Sequence, residues 1–185
     1  MLGAMIGDIA GSKYEFNNTF DYDFEMFGEG CDFTDDTICT VAVADAILNG
    51  RSYQESLLDW CRRYPSPKGA YGGRSAGWIR SLDPQPYNSF GNGSAMRVSP
   101  VAWLFDETCM DAVPLSFYLL SQASSFEDAI RLAISHGGDS DTIGAIVGSI
   151  AEARFGIPQD MKEKAISYLP DDMRDVLKQF AENAK

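Results

Sequence analysis

Residues 136–158 read HGGDSDTIGAIVGSIAEARFGIP, and they set out a helix together with its start and its stop. The glycine pair breaks whatever helix comes before. The run Asp139–Thr142 offers residues that favour a helix N-terminus, and Gly156 with Pro158 closes the far end. Between them Ile143, Ala145, Ile146 and Ile150 carry apolar surface, while Gly144, Gly148 and Ala151 let a neighbour approach closely. Such a helix belongs at the centre of a domain. Residues 2–12 carry a similar feature, because Gly3, Gly7 and Gly11 recur every fourth position and line one face. Glycine lowers helix propensity, so that face needs a tertiary contact to justify it.

Working outward, the pattern predicts a helix from Thr34 to Asn49 with Gly50 as its stop, and another from Ser52 to Arg63 before Pro65 and Pro67. A short helix is expected over 74–82, and others over 94–104 and 112–122. Ser125 with Asp128 forms a capping-box pattern ahead of the next helix, and two amphipathic helices over 159–168 and 171–183 complete the chain. Residues 64–73 and the stretch DPQPYNSFGNG read as loops. No period-2 strand pattern occurs. The expectation is one all-α domain over 1–185.

The length of 185 residues and 45% hydrophobic content fit a single globular core. Fifteen Lys plus Arg against 27 Asp plus Glu leave a net charge of −12, which argues against binding a nucleic-acid backbone or an anionic membrane surface. No apolar run approaches the ~20 residues of a membrane span, and MLGAMIGDIAGS has an acid where a secretory leader has bases. The four cysteines form no CxxC pair, which suggests reduced thiols and a cytoplasmic location. The single histidine, His136, excludes a Zn site built on several histidines and reads as a helix-end residue.

The acids cluster. Between Lys13 and Arg51 there is no base, yet there are nine acids: Glu15, Asp21, Asp23, Glu25, Glu29, Asp32, Asp35, Asp36 and Asp45. Asp21 to Glu29 read as a solvated loop. Thr34-Asp35-Asp36-Thr37 differs, since it opens a helix with an apolar stripe behind it, and Asp139-Ser140-Asp141-Thr142 repeats the design. Two helix starts with paired Asp and a Thr hydroxyl suit hard cations, which prefer oxygen ligands; two independent caps are the alternative. The glycine-rich FGNGSAMR (90–97) enters a helix whose N–H groups would suit an anion, with an ordinary turn as the alternative. Arg74 and Arg97 are candidate anion contacts.

In order along the chain, GAMIGDIAGSKYEF (3–16), FTDDT (33–37), YNSFGNGSAMRVSPVAW (87–103) and HGGDSDTIGAIVGSIAEARFGIP (136–158) resemble the ADP-ribosylglycohydrolase family, the group of the dinitrogenase-reductase-activating glycohydrolase. The resemblance implies an all-helical orthogonal bundle. It also implies hydrolysis of the glycosidic bond joining ADP-ribose to a side chain or small molecule, at a centre of two Mg²⁺ ions, with Mn²⁺ also suited. By position, it implies metal ligands at Thr34, Asp35, Asp36, Asp139, Asp141 and Thr142, and catalytic roles for Glu15 and Asp36. It places substrate-binding residues at Phe90, Gly91, Asn92, Gly93 and Ser94. The implied partner is ADP-ribose or an ADP-ribosylated protein.

The chain departs from that pattern in length. Arg97 and Gly137 are only 40 positions apart, where the family usually has several more helices, one of them with a Thr-His pair. RVSPVAWLF and CMDAVP flank an internal deletion inferred near 105–106. Its expected consequences are a bundle lacking some central helices, exposed apolar surface and self-association as a homo-oligomer. The alternative function is a trimmed relative that binds metal or ADP-ribose without turnover.

Overall fold

The computed structural model describes residues 1–87, 93–97, 99–100 and 114–184. Over these residues the fold is all-α: α1 (Leu2–Gly11), α2 (Asp35–Asn49), α3 (Tyr53–Arg63), α4 (Gly73–Arg80), α5 (Gly93–Met96), α6 (Pro114–Gln122), α7 (Phe126–Ser135), α8 (Ser140–Phe155), α9 (Gln159–Tyr168) and α10 (Asp171–Asn183). Among the described residues the extended backbone pairs once outside any strand, in a parallel bridge between Thr34 and Lys68. No helix among them is long and apolar enough to cross a membrane. The position expected for the deletion lies outside the described residues, as do residues 98 and 101–104 of the helix expected over 94–104.

Helix α1 is the axis of the molecule. All ten of its residues are buried, which fits its near-complete lack of polar side chains. It lies antiparallel to α8, with Gly3, Gly7 and Gly11 facing Gly148, Gly144 and Ser140 in turn. The approach is so close that a Cβ on Gly144 would stand 2.6 Å from the Gly7 carbonyl oxygen. The core around this pair is apolar and mostly aliphatic, with Met5, Ile6, Ile9, Ile38, Val41, Phe126, Ile130, Ile134 and Val147 buried to within 2%. Dispersion and removal of apolar surface from water hold it.

Helix α2 is fastened to α3 by a buried polar node. Asp45 accepts from Trp60 Nε1 (2.9 Å), Ser56 Oγ (3.1 Å), Asn49 Nδ2 (2.7 Å) and Arg51 (2.7 Å), so this member of the acid-rich stretch is a structural group. Helices α7 and α10 also complete the bundle. The boundaries follow the sequence pattern, with three differences. Helix α5 ends at Met96 and gives way to a turn at Arg97, inside the helix expected over 94–104. Helix α4 ends at Arg80, which leaves Leu82 fully exposed. At α7, Ser125 Oγ accepts the Asp128 N–H as expected, but the Asp128 carboxylate reaches Ser124 instead of returning to Ser125, so the box is shifted by one residue.

Candidate metal and substrate cleft

Both Asp-rich helix starts rest on α1. At its C-terminal end Ser140 Oγ donates to the Gly11 carbonyl (3.0 Å), which pins the start of α8. One turn earlier, Asp8 holds the start of α2. Its carboxylate accepts from the Thr34 N–H (3.0 Å), the Thr37 N–H (3.0 Å) and the Thr34 hydroxyl (2.7 Å). Thr34 is the N-cap of α2, and its oxygen in turn accepts the Asp36 N–H at 3.1 Å. Asp139 occupies the N-cap position of α8 without a side-chain cap bond, so capping does not account for its carboxylate.

Glu15 arrives from the loop after α1 and is set by a second clamp. The Asn18 amide donates to Tyr14 O (2.8 Å) and Gly138 O (2.7 Å), and its oxygen accepts the Gly138 N–H (3.0 Å). This ties the Glu15 loop to the glycine turn that leads into Asp139. As a result, carboxylate oxygens of Glu15, Asp139 and Asp141 lie within 4.8 Å of one another. The loop after α3 closes the opposite side through the Thr34–Lys68 bridge. There Gly69 has φ +76°, and a Cβ on it would stand 2.6 Å from Glu15 Oε2.

The resulting cleft, of about 940 Å³, is lined by the acids Glu15, Asp35, Asp36, Asp139 and Asp141 with Thr142, and by Gly93, Arg74 and Arg97. Of the sequence-derived ligands, Thr34 alone stands back from it, fully buried with its hydroxyl bonded to Asp8. Gly93 and Ser94 open α5, whereas Phe90, Gly91 and Asn92 lie outside the described residues. His136 is the C-cap of α7, as its sequence position suggested. A side cavity of about 320 Å³ shares Asp35 and Arg97 with the cleft and is walled by Tyr71, Trp78 and Tyr87.

The electrostatics of the cleft call for a cation. Burial, then repulsion from Asp8, pushes Asp35 up to about 6, with Arg97 opposing the shift. Burial and the neighbouring Asp8 and Asp35 raise Asp36 well above the carboxylate range. Asp141 is pushed up to about 10 by burial, by a hydrogen bond with Asp139 and by repulsion from Asp36. Glu15 rises through burial and through Asp139 and Asp35. Asp36 Oδ2 and Glu15 Oε2 are buried with no hydrogen-bond partner. Crowded, desolvated carboxylates with unsatisfied lone pairs are the donor set that hard divalent cations take. The exposed acids Asp21, Asp23, Glu25 and Glu29, by contrast, form a solvated loop outside the cleft.

The sequence profile of the ADP-ribosylglycohydrolases matches residues 1–113 and 105–185, which together span the chain. The chain belongs to the ADP-ribosylglycohydrolase family. A relative in Archaeoglobus fulgidus, an uncharacterized protein, is 41% identical over 51 residues, a stretch covering 27% of this chain and 17% of that protein. The match therefore spans well under two thirds of the relative's length.

Three residues that shape this glycohydrolase-family cleft were not picked out from the linear pattern: Asp8, Asn18 and Gly69. Asp8 is one polar residue in an apolar helix, and a buried acid in such a setting is the signal that was open to reading. Asn18 and Gly69 act on partners far along the chain, where no local spacing reveals them.

Proposed function

We propose that the chain is a metal-dependent hydrolase that cleaves the glycosidic bond between ADP-ribose and a modified side chain or small molecule. The observation that carries this reading is the convergence of Glu15, Asp35, Asp36, Asp139 and Asp141 in one cleft, with raised proton affinities at Glu15, Asp35, Asp36 and Asp141 and two orphaned buried oxygens. Asp35, Asp36, Asp139, Asp141 and Thr142 would hold two Mg²⁺ or Mn²⁺ ions, for which oxygen donors suit both. Thr34 contributes through the cap that fixes this set. Bound there, the ions supply Lewis acidity that orients ribose hydroxyls and acidifies water.

The remaining work falls to the chain itself. Glu15 stands beside Asp139 and Asp141, with its proton affinity raised and one oxygen free, and serves as proton acceptor for the attacking water or as counter-charge to an oxocarbenium-like state. Arg97 and the first N–H groups of α5 at Gly93 and Ser94 would form an anion-binding edge for the diphosphate; the resemblance assigns Phe90, Gly91 and Asn92, outside the described residues, to the same substrate-binding role. The side cavity gives aromatic walls on the same side as Arg97.

The second reading, a relative that binds without turnover, rests on the family match falling into two stretches that meet at 105–113, next to the inferred deletion. A lost segment there removes part of the substrate wall. Calorimetric titration of ADP-ribose with Mg²⁺, and again with EDTA, alongside release of ADP-ribose from modified protein, separates the readings. Metal-dependent binding with release supports the hydrolase. Binding without release supports the second reading, and no binding in either condition removes both.

A further inference from the structure

Asp8 is an ionisable group with no solvent exposure, and a carboxylate in such a place is costly unless hydrogen bonds hold it. Its three hydrogen bonds all come from the first turn of α2, from the Thr34 N–H, the Thr34 hydroxyl and the Thr37 N–H. In a capping box, an acid at the third position of the helix folds back onto the N–H of its own N-cap. In α2 that third position is Thr37, which has no carboxylate. Asp8 takes over from another helix, and it accepts the N–H of the third residue as well. The N–H of the second residue, Asp36, goes to Thr34 Oγ1.

The consequence lies on the cleft side. With these donors satisfied from behind, the Asp36 carboxylate is not drawn into capping, and its Oδ2 remains buried and unpartnered at the cleft. The Thr34 hydroxyl hydrogen is committed to Asp8, which fixes the direction of that side chain. Asp8 also belongs to the helix that carries α8 through the Gly7–Gly144 contact, so one rigid element sets the α2 acids against Asp139 and Asp141.

We infer that Asp8 is a positioning residue for divalent-metal binding: it caps α2 from α1, leaving Asp36 free for a cation and keeping the two Asp motifs in register. This rests on the metal reading given above. Outer groups that orient metal ligands typically contribute 10–100-fold in metal affinity.

The test is calorimetric titration of Mn²⁺ and Mg²⁺ into the wild-type chain, Asp8→Asn, Asp8→Ser and Asp45→Asn, with a thermal melt of each. Asp8→Asn keeps shape but puts an amide where the carboxylate accepts three bonds. Asp8→Ser keeps a single hydroxyl acceptor. Asp45→Asn removes another buried acid, from α2 at a point away from the cleft, and controls for destabilisation. The expected result is a 10–100-fold loss of Mn²⁺ affinity in either Asp8 variant, with Asp45→Asn melting earlier yet binding within about threefold of wild type. Affinity within threefold of wild type in a folded Asp8 variant overturns the inference. So does a failure of both Asp8 variants to melt cooperatively with or without Mn²⁺, which assigns Asp8 to the fold alone. A wild-type chain that takes up neither metal defeats the metal reading itself, a result distinguishable from the other two.

Discussion

Glu15 and Gly69 meet at the point where the chemistry is expected, and each makes a separate prediction. Glu15→Gln keeps size and polarity but removes the proton-accepting oxygen. Release of ADP-ribose from a modified protein should fall by roughly 10²–10⁴-fold, with metal uptake by calorimetry retained; unchanged release would remove Glu15 from its assigned role. Gly69→Ala adds one methyl where φ is +76° and where a Cβ would stand 2.6 Å from Glu15 Oε2. Left-handed backbone costs a non-glycine residue about 1–2 kcal/mol, so a modest fall in Tm is expected. The displaced Glu15 should lower turnover by about 100-fold, the cost of roughly 1 Å of misplacement. A Tm loss with full turnover would mean that Glu15 tolerates the shift. The Asp pairs at the two helix starts were legible in the sequence because capping rules leave one acid of each pair unexplained. Asp8, Asn18 and Gly69 were not, because each matters through a partner that only the folded chain brings near.

Helix boundaries were the most legible level, since Gly50, Gly156, Ser52 and Ser125 act on their immediate neighbours, and the structure places each at the end its type favours. The pairing of α1 with α8 was half legible: the glycine stripes called for close partners but did not name each other. Gly144→Ala tests that pairing. The added methyl meets the Gly7 backbone and should cost roughly 1–3 kcal/mol, about 2–12 °C in Tm at this length. Gly77→Ala, where a Cβ meets nothing within 4 Å, should leave Tm unchanged or raise it slightly. Equal Tm losses would refute the wedge. The α2–α3 node makes a pH prediction. Burial raises the Asp45 pKa, but hydrogen bonds from Trp60, Asn49 and Ser56 and the Arg51 charge outweigh it, and the net shift is downward. A lowered folded-state value stabilises above the unfolded-state pKa of about 3.9 and loses that contribution as pH falls through the folded value. Asp45→Asn should cost about 1–3 kcal/mol near neutrality, and the Tm gap to wild type should close as pH drops below about 4. A gap that is constant with pH would show that the carboxylate charge contributes nothing.

At the scale of the whole molecule, the family match divides into residues 1–113 and 105–185, and the two parts meet where the sequence places a deletion. A bundle that loses central helices leaves apolar faces without their cover, and the economical cover is a second copy. Helix α6, just past that position, presents Tyr118 at 63% exposure although the helix is largely apolar. Around the cleft entrance Phe16 is 80% exposed, and nearby in the chain Phe20 is 76% exposed. Single exposed aromatics are ordinary on a soluble surface, but α6 follows closely in the chain on the position inferred for the deletion. The expectation is a homo-oligomer, tested by light scattering at micromolar concentration against the chain mass of 20.3 kDa. A mass of at least twice that value is the predicted outcome, and Tyr118→Asp should shift the population toward the single chain by placing a charge on the covered face. If α6 is the covered face, the same substitution should leave Mn²⁺ affinity within about threefold, because Tyr118 does not line the cleft. A monodisperse mass of one chain in the wild type, with ADP-ribose binding intact, would show that the shortened bundle closes its own surface without a second copy.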